Sequence, residues 1–489
     1  MNSQAVRVCE KNKKVLEYQG APIILVCATE HYGSVLNRPF NFEAYLKDCK
    51  EKNQNYTRLF LLVRELQTKE NPYSPAKPES TDYVSPFMRV GPGMAVDMLP
   101  KYDLEVWNDE FFERLHCFMD LAQKYDVIVE VVLFSNQYQQ PLFDLVPWSS
   151  KNNINGTEDI DFNVALSMKA PKLFAYQQQY VEKVVTELNR YPNFFFEVCN
   201  EPGCFNPQLV GVDDINAWQS ELIKMIRMLE KGMPSQHLIA GEDCFTWFPG
   251  EKLIVGTDYS FRDMDIDIVN IHPLENMMYC GKSYDLGEFM SKRLCLEEYK
   301  AFCLDTYNEN KVVNIDEDNV ASRFRDYDGW TIHRKRAWTA VMCGAHYDYI
   351  DFSIQVMCPT GTPDSQKHVR SWFKYLQNYI ASMGLANCRP LEGCVRHSPN
   401  HTMTAAMGAA GEEYHIYIVD TRELTYNGYG TQIDGVLILD LEPGEYIATI
   451  YSPEFGQSSV GMKVQGGSET EVLLPPFVHD AVLRIQKNG

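Results

Sequence analysis

The sequence contains no run of about 18 or more consecutive apolar residues, so it encodes no membrane-spanning helix. Nor does it open on an apolar segment. Met1–Arg7 leads into the charged stretch Glu10–Lys14, which lacks the pattern of a secretion leader and predicts a cytoplasmic protein. Positive charge is scarce: 45 Lys+Arg stand against 66 Asp+Glu, a net charge of −21. That balance disfavours nucleic acid and anionic membrane surfaces as partners and favours neutral ligands. None of the 14 cysteines forms a C-x-x-C pair, and the 11 histidines show no metal-ligand spacing. Cys27, Cys199 and Cys343 lie inside apolar runs, where a buried reduced thiol is expected. There is no G-x-S-x-G elbow and no H-E-x-x-H helix, and Gly281-Lys282-Ser283 lacks the leading glycine of a phosphate-binding loop because Asn276 stands there. No metal and no organic cofactor are expected.

What is present is a long globular chain. Its 489 residues, 45% hydrophobic and 12% aromatic, suit one large domain plus a smaller one. Short apolar runs alternate with helical stretches: residues 22–28, 56–63, 127–134, 194–199, 237–240, 267–271, 311–315 and 347–352 read as strands in series. Near-continuous apolar strands are expected where both faces are covered, and eight βα units in series predict a (β/α)₈ TIM barrel, α/β in class, over residues 1–386. Beyond Asn387 the helical period gives way to alternating strands with Pro-Gly and Gly-Gly turns, which predicts a small all-β sandwich domain over residues 387–489. Three connections are long, 65–103, 135–172 and 273–310. All leave the C-terminal face, where barrels build their pockets, and Pro72-Tyr73-Ser74-Pro75 in the first suits an ordered loop.

Two carboxylates fall at that rim. Strand four closes on Asn200-Glu201-Pro202-Gly203 and strand seven on Asp316-Glu317-Asp318. A pair of carboxyls facing one pocket is the minimum equipment for glycoside hydrolysis, one as acid/base and the other as nucleophile or base. An off-by-one strand end would put Asp316 or Asp318 in place of Glu317. Glu130 and Glu197, inside strands, read as internal ion pairs, and Glu242-Asp243 as a solvated or substrate-binding turn. Trp148, Trp247 and Trp330 follow strands three, five and seven, where an aromatic face stacks on sugar or anchors a loop.

With Arg58 on strand two, the Asn-Glu end of strand four and the Glu end of strand seven, the barrel resembles the retaining glycoside hydrolases of clan A, the cellulase-like superfamily. The segments Leu473–Phe477 and Asp480–Ile485 look like the β-sandwich often appended to members of that clan. The resemblance implies Glu201 as general acid/base, Glu317 as nucleophile, Asn200 on the sugar 2-hydroxyl and Arg58 beneath Glu317. It further implies that Arg58 depresses the pKa of Glu317 while burial and Glu317 raise that of Glu201. His272, after strand six, is a candidate partner of the catalytic pair, without the tyrosine that many clan members carry next. Glu30-His31-Tyr32 are candidates to contact the sugar or to cap a loop. The expected activity is retaining hydrolysis of β-glycosidic bonds in oligosaccharides or small glycosides, within a closed-ended pocket. An inverting carboxylate-pair hydrolase and a non-catalytic carbohydrate-binding or scaffold protein on a decayed barrel are the alternatives, and the oligomeric state is left open.

Overall fold

The computed structural model describes residues 5–488 apart from 32, 64–76, 248–252 and 257. Pro72–Pro75 and Tyr32 therefore lie outside the described residues. Eight parallel strands form the centre: β1 (Val26–Thr29), β2 (Tyr56–Phe60), β3 (Ile128–Ser135), β4 (Phe194–Asn200), β5 (Ile239–Gly241), β6 (Ile268–Asn270), β7 (Val312–Ile315) and β8 (His346–Ile350). The hydrogen-bonded order is β1-β8-β7-β6-β5-β4-β3-β2, so each sequential strand after β2 lies beside its predecessor, and β8 returns to β1. Side-chain amides stitch the remaining seam. Asn55 accepts from the Val26 amide at 3.1 Å and Gln54 from the Ala28 amide at 3.2 Å.

Every residue of β1 to β8 is buried, because barrel interior covers one face and helices the other. The helices are α1 (Phe42–Glu51), α2 (Asp109–Lys124), α3 (Pro171–Leu188), α4 (Val212–Glu230), α5 (Asp258–Arg262), α6 (Leu296–Asp305), α7 (Tyr327–Met342) and α8 (Val369–Ile380). α2 shows the usual logic: Phe111, Leu115, Phe118, Met119 and Ala122 recur at helical spacing and are the buried face. One sequence-based expectation needs correction. The apolar run 22–28 is split, with Ala21–Ile23 in a small antiparallel sheet below the barrel and only Val26–Thr29 in the barrel itself.

The long connections carry structure of their own. The first holds the hairpin Phe87–Met94/Pro100–Trp107, and the third a hairpin Met277–Tyr279/Lys282–Tyr284, so Gly281 lies in a hairpin turn and Lys282-Ser283 open its second strand. The C-terminal strands are β9 (Arg389–Pro390), β10 (Val395–His397), β11 (Thr402–Ala409), β12 (Glu413–Asp420), β13 (Ile433–Leu439), β14 (Glu445–Ser452), β15 (Gln457–Ser458), β16 (Met462–Gln465), β17 (Thr470–Phe477) and β18 (Asp480–Lys487). A sheet β9-β11-β12-β18-β14-β15, with β16 on β14, faces a second sheet β10-β13-β17 across a core that includes Ile416, Ile418, Leu437, Leu439, Val472, Leu483 and Ile485.

The outer side of the larger sheet packs on the barrel. Helix α7 is caught between the two, and all of Gly329–Met342 is buried despite the sequence His333-Arg334-Lys335-Arg336. Each cation there has its own acceptor: Arg334 pairs with Asp480 at 3.0 Å, Arg336 with Asp318 at 2.5 Å, and Lys335 donates to the Asp420 carbonyl at 2.8 Å.

Candidate active site

The C-terminal ends of β2, β4, β6 and β7 converge on one cluster. Arg58 projects from β2 with its side chain 1% exposed and is shared among carboxylates. Its Nη1 binds Glu317, and its Nη2 meets Glu197 at 2.6 Å, Asn200 Oδ1 at 2.9 Å and Asp316 at 3.2 Å. Asn319 donates to the other oxygen of Glu317 at 2.6 Å. Glu317 is thus gripped on both oxygens by side chains from two different strand ends.

Glu201 stands opposite. Its backbone is left-handed, with φ 48°, and its N–H donates to Glu242 at 2.6 Å. A non-glycine residue held in that region is strained, which is common where a side chain must be aimed. Gly203 then lets the chain turn away, since a Cβ there would lie 2.3 Å from Asn136 Nδ2 and 2.6 Å from the Phe205 ring. The Glu201 carboxylate accepts from the Tyr138 hydroxyl and pairs with His272 Nδ1 at 2.8 Å, while His272 Nε2 faces Asp316 at 3.3 Å. One oxygen of Glu201, one of Glu317 and a ring nitrogen of His272 all lie within 4.8 Å of one another.

The acids of this region, Glu130, Glu197, Glu201, Glu242, Asp316, Glu317 and Asp348, outnumber Arg58 and His272. Burial consequently pushes Glu242, Glu130 and Asp348 well up, and it pushes Glu197 up to about 7 against the pull of Arg58. His272 is driven the other way from a simple buried histidine. Burial lowers its pKa, but Glu242, Asp316 and Glu317 outweigh that and raise it well above the ordinary value.

The order expected for the catalytic pair is reversed. Burial raises Glu317 even though His272 and Arg58 oppose it, because Arg58 also serves Glu197 and Asp316. Burial would raise Glu201 as well, yet the hydrogen bonds and charge from His272, with the Tyr138 hydroxyl, hold it below the usual carboxylate range.

The structure brings Arg58, Asn200, Glu201, His272 and Glu317 together and separates other candidates from them. Trp148 is 4% exposed and wedged among Phe87, Phe134 and Tyr180, and Trp330 is 2% exposed within α7 beside His368, so both are packing anchors and present no face to a sugar. Glu30 is turned into its own loop, accepting from Gly33 N at 2.7 Å and from Ser34 N at 3.1 Å, which makes it the loop cap. His31 is buried and stacks on Phe352, with its ring edge-on to Phe60 next to Arg58 in sequence by two residues. Trp247 differs: it is 51% exposed, edge-to-face with Phe205, and held beside Cys204 by the parallel pairing of Gly203–Cys204 with Phe245–Thr246. Glu242 and Asp243 are buried, contrary to a solvated turn, Glu242 on the Glu201 amide and Asp243 capping α5 through Tyr259 N and Ser260 N.

Tyr138 and Asn319 escaped the sequence reading, and Glu242 was read there only as part of a turn. Asn319 could have been found from its place two residues beyond Glu317. Nothing local marks Tyr138, whose phenol enters from the loop after β3. As for a cation, Glu130, Glu197 and Asp316 converge within 4.8 Å of one another, but the Arg58 guanidinium already supplies the positive charge at that point.

Comparison with known proteins agrees with this architecture. A domain of unknown function, DUF6298, matches residues 80–190, and no curated protein matches the chain. A glycoside hydrolase of family 5 from Bacteroides vulgatus ATCC 8482 superimposes with a TM-score of 0.64 at 12% identity, covering 99% of this chain and 93% of its own. A second solved glycoside hydrolase gives a TM-score of 0.59 at 13% identity, covering 99% and 97%. The chain therefore shares its fold, a (β/α)₈ barrel with an added β-sandwich, with these solved glycoside hydrolases.

Proposed function

We propose that the chain is a retaining β-glycosidase acting on oligosaccharides or small glycosides, with Glu201 as acid/base and Glu317 as nucleophile. The observation that carries this reading is the approach of the two carboxylates, whose nearest described oxygens fall within 4.8 Å. Retaining enzymes need about 5–5.5 Å between the groups, whereas inverting ones leave about 6.5–9.5 Å for a water. An intact Arg58–Glu317–Asn319 grip also argues against a decayed, merely binding barrel.

The chemistry follows from the partners. Glu317 must attack as the anion, and the Arg58 and Asn319 hydrogen bonds orient its oxygens and favour that form. Glu201 must carry a proton when the glycosidic bond breaks. His272, with its raised pKa, lies 2.8 Å away and is placed to supply that proton. A sugar bound between the glutamates excludes solvent and raises the pKa of Glu201 from its low value, so the proton passes from Nδ1 to the carboxyl and then to the leaving oxygen. In the second half-reaction Glu201 takes a proton from water, with His272 again the adjacent store. Asn200, anchored through its Oδ1 by Arg58, offers its amide N–H to the sugar 2-hydroxyl. Trp247 lies on the Glu201 side and so would meet the leaving group.

The test is a panel of nitrophenyl β-glycosides with the first-formed anomer followed by proton NMR. Initial release of the β-anomer is expected. Initial α-anomer would mean inversion, and no hydrolysis of any member would favour the binding protein.

A further inference from the structure

A second cluster of metal-ligating side chains lies at the junction of barrel and sandwich, far in sequence from the glutamates. Glu413 and His415 sit at i and i+2 of β12, so both project from the same face of the strand. Cys388 comes from the segment that leaves α8. Its Sγ is 3.4 Å from Glu413 Oε1, Glu413 Oε2 is 3.0 Å from His415 Nε2, and the three ligand atoms are all within 4.8 Å of one another. Around a tetrahedral zinc, sulfur, nitrogen and oxygen ligands stand about 3.4–3.6 Å apart, given bond lengths of about 2.0–2.3 Å. All three donor atoms already lie within 4.8 Å, so a cation between them would draw the ligands together without any change of partners.

We infer that Cys388, Glu413 and His415 form a structural site for a zinc-like divalent cation that clamps the inter-domain segment to the sandwich, with a water as fourth ligand on the partly open Glu413 side.

Three features beyond the ligand set favour a cation. The first is outer support. The Tyr379 hydroxyl, from α8, lies 2.9 Å from His415 Nδ1, which fixes the ring so that Nε2 faces the cluster, as partners of metal-bound histidines do. The second is the backbone cradle at Gly384, whose N–H holds Glu413 Oε1 at 2.9 Å and where a Cβ would come within 2.3 Å of that oxygen. The third is charge. A thiolate and a carboxylate neutralise a divalent ion, and a neutral imidazole completes the set. Binding expels the Cys388 proton to solvent as the metal–sulfur bond forms, so affinity should rise with pH. Arg484, opposite His415 on β18, directs its guanidinium to the Ser382 carbonyl at 2.9 Å, and its charge reaches His415 from there.

The experiment uses the full chain stripped with chelator and titrated with Co²⁺, reading the thiolate-to-cobalt charge-transfer band. One equivalent should saturate the band, Zn²⁺ should abolish it by competition, and Cys388→Ser should lose it although the other thiols remain. Glu413→Gln keeps both the thiol and an acceptor for Gly384, and should bind at least about tenfold more weakly. It keeps the test open if the serine variant does not fold. A wild-type chain that gives no band at tenfold excess Co²⁺ overturns the proposal. So does a band undiminished in Cys388→Ser, or an affinity unchanged in Glu413→Gln.

Discussion

The barrel mouth and the seam around α7 bury the same kinds of side chain to opposite ends. At the seam, each guanidinium has one carboxylate and the lysine a carbonyl: Arg334 takes Asp480, Arg336 takes Asp318, and Lys335 rests on the Asp420 carbonyl. At the mouth, Arg58 and His272 are divided among more carboxyls than they can neutralise. A matched buried pair has nothing to gain or lose near neutral pH. An over-subscribed cation leaves its acids with raised pKa values and a proton that can move. The difference between the regions is therefore stoichiometry, and it separates structural charge from chemical charge.

The comparison can be broken from either side. The largest effect is expected at Glu317: Glu317→Gln should cut kcat/KM on activated aryl glycosides by about 10⁴-fold or more, since no other group forms the glycosyl bond. Its melting temperature should stay level or rise, because one of too many buried acids has been neutralised. Arg334→Met should do the reverse. It strands Asp480 and should lower stability by about 3–5 kcal/mol by urea denaturation, with kcat of the folded fraction unchanged and much of the loss recovered when Asp480→Leu is added.

His272→Asn comes next, with a loss of about 10²-fold or more in kcat/KM on substrates with poor leaving groups. Removing the imidazolium takes a stabilising charge from both glutamates, so the acidic limb of kcat/KM should move to higher pH. The sign for stability follows from a folded pKa above the unfolded one. Wild type should gain from His272 below about pH 6.5, and its advantage over the variant should fade as pH rises through the folded value. The smallest effect belongs to Trp247. Trp247→Ala should raise KM several-fold, about 1 kcal/mol of lost stacking, while Trp330→Phe should leave KM alone.

Much of this was legible from the sequence because buried parallel strands are written as apolar runs, and because strand ends deliver side chains to one face. Glu201 and Glu317 were picked out as candidates in that way, and Arg58 through the family resemblance. What escaped was decided across the fold. α7 reads as a polar helix, and only the sandwich packed against it shows why Arg334, Lys335 and Arg336 are buried. Trp148 and Trp330 stand at suitable positions after their strands, yet their rings point inward, which no spacing reveals. The reversed pKa order has the same origin: a pairwise reading gives Arg58 to Glu317, whereas the folded chain makes it serve Glu197 and Asp316 too.

The central claim is that Glu317 forms the covalent bond while Glu201 moves the proton. Incubation with an activated 2-fluoro-β-glycoside, matched to whichever sugar the panel selects, traps the intermediate, and peptide mapping by mass spectrometry locates it. One label per chain is expected, on Glu317. A label on Glu201, Asp316 or Asp318, or the absence of any label from a chain that hydrolyses the parent glycoside, would contradict it.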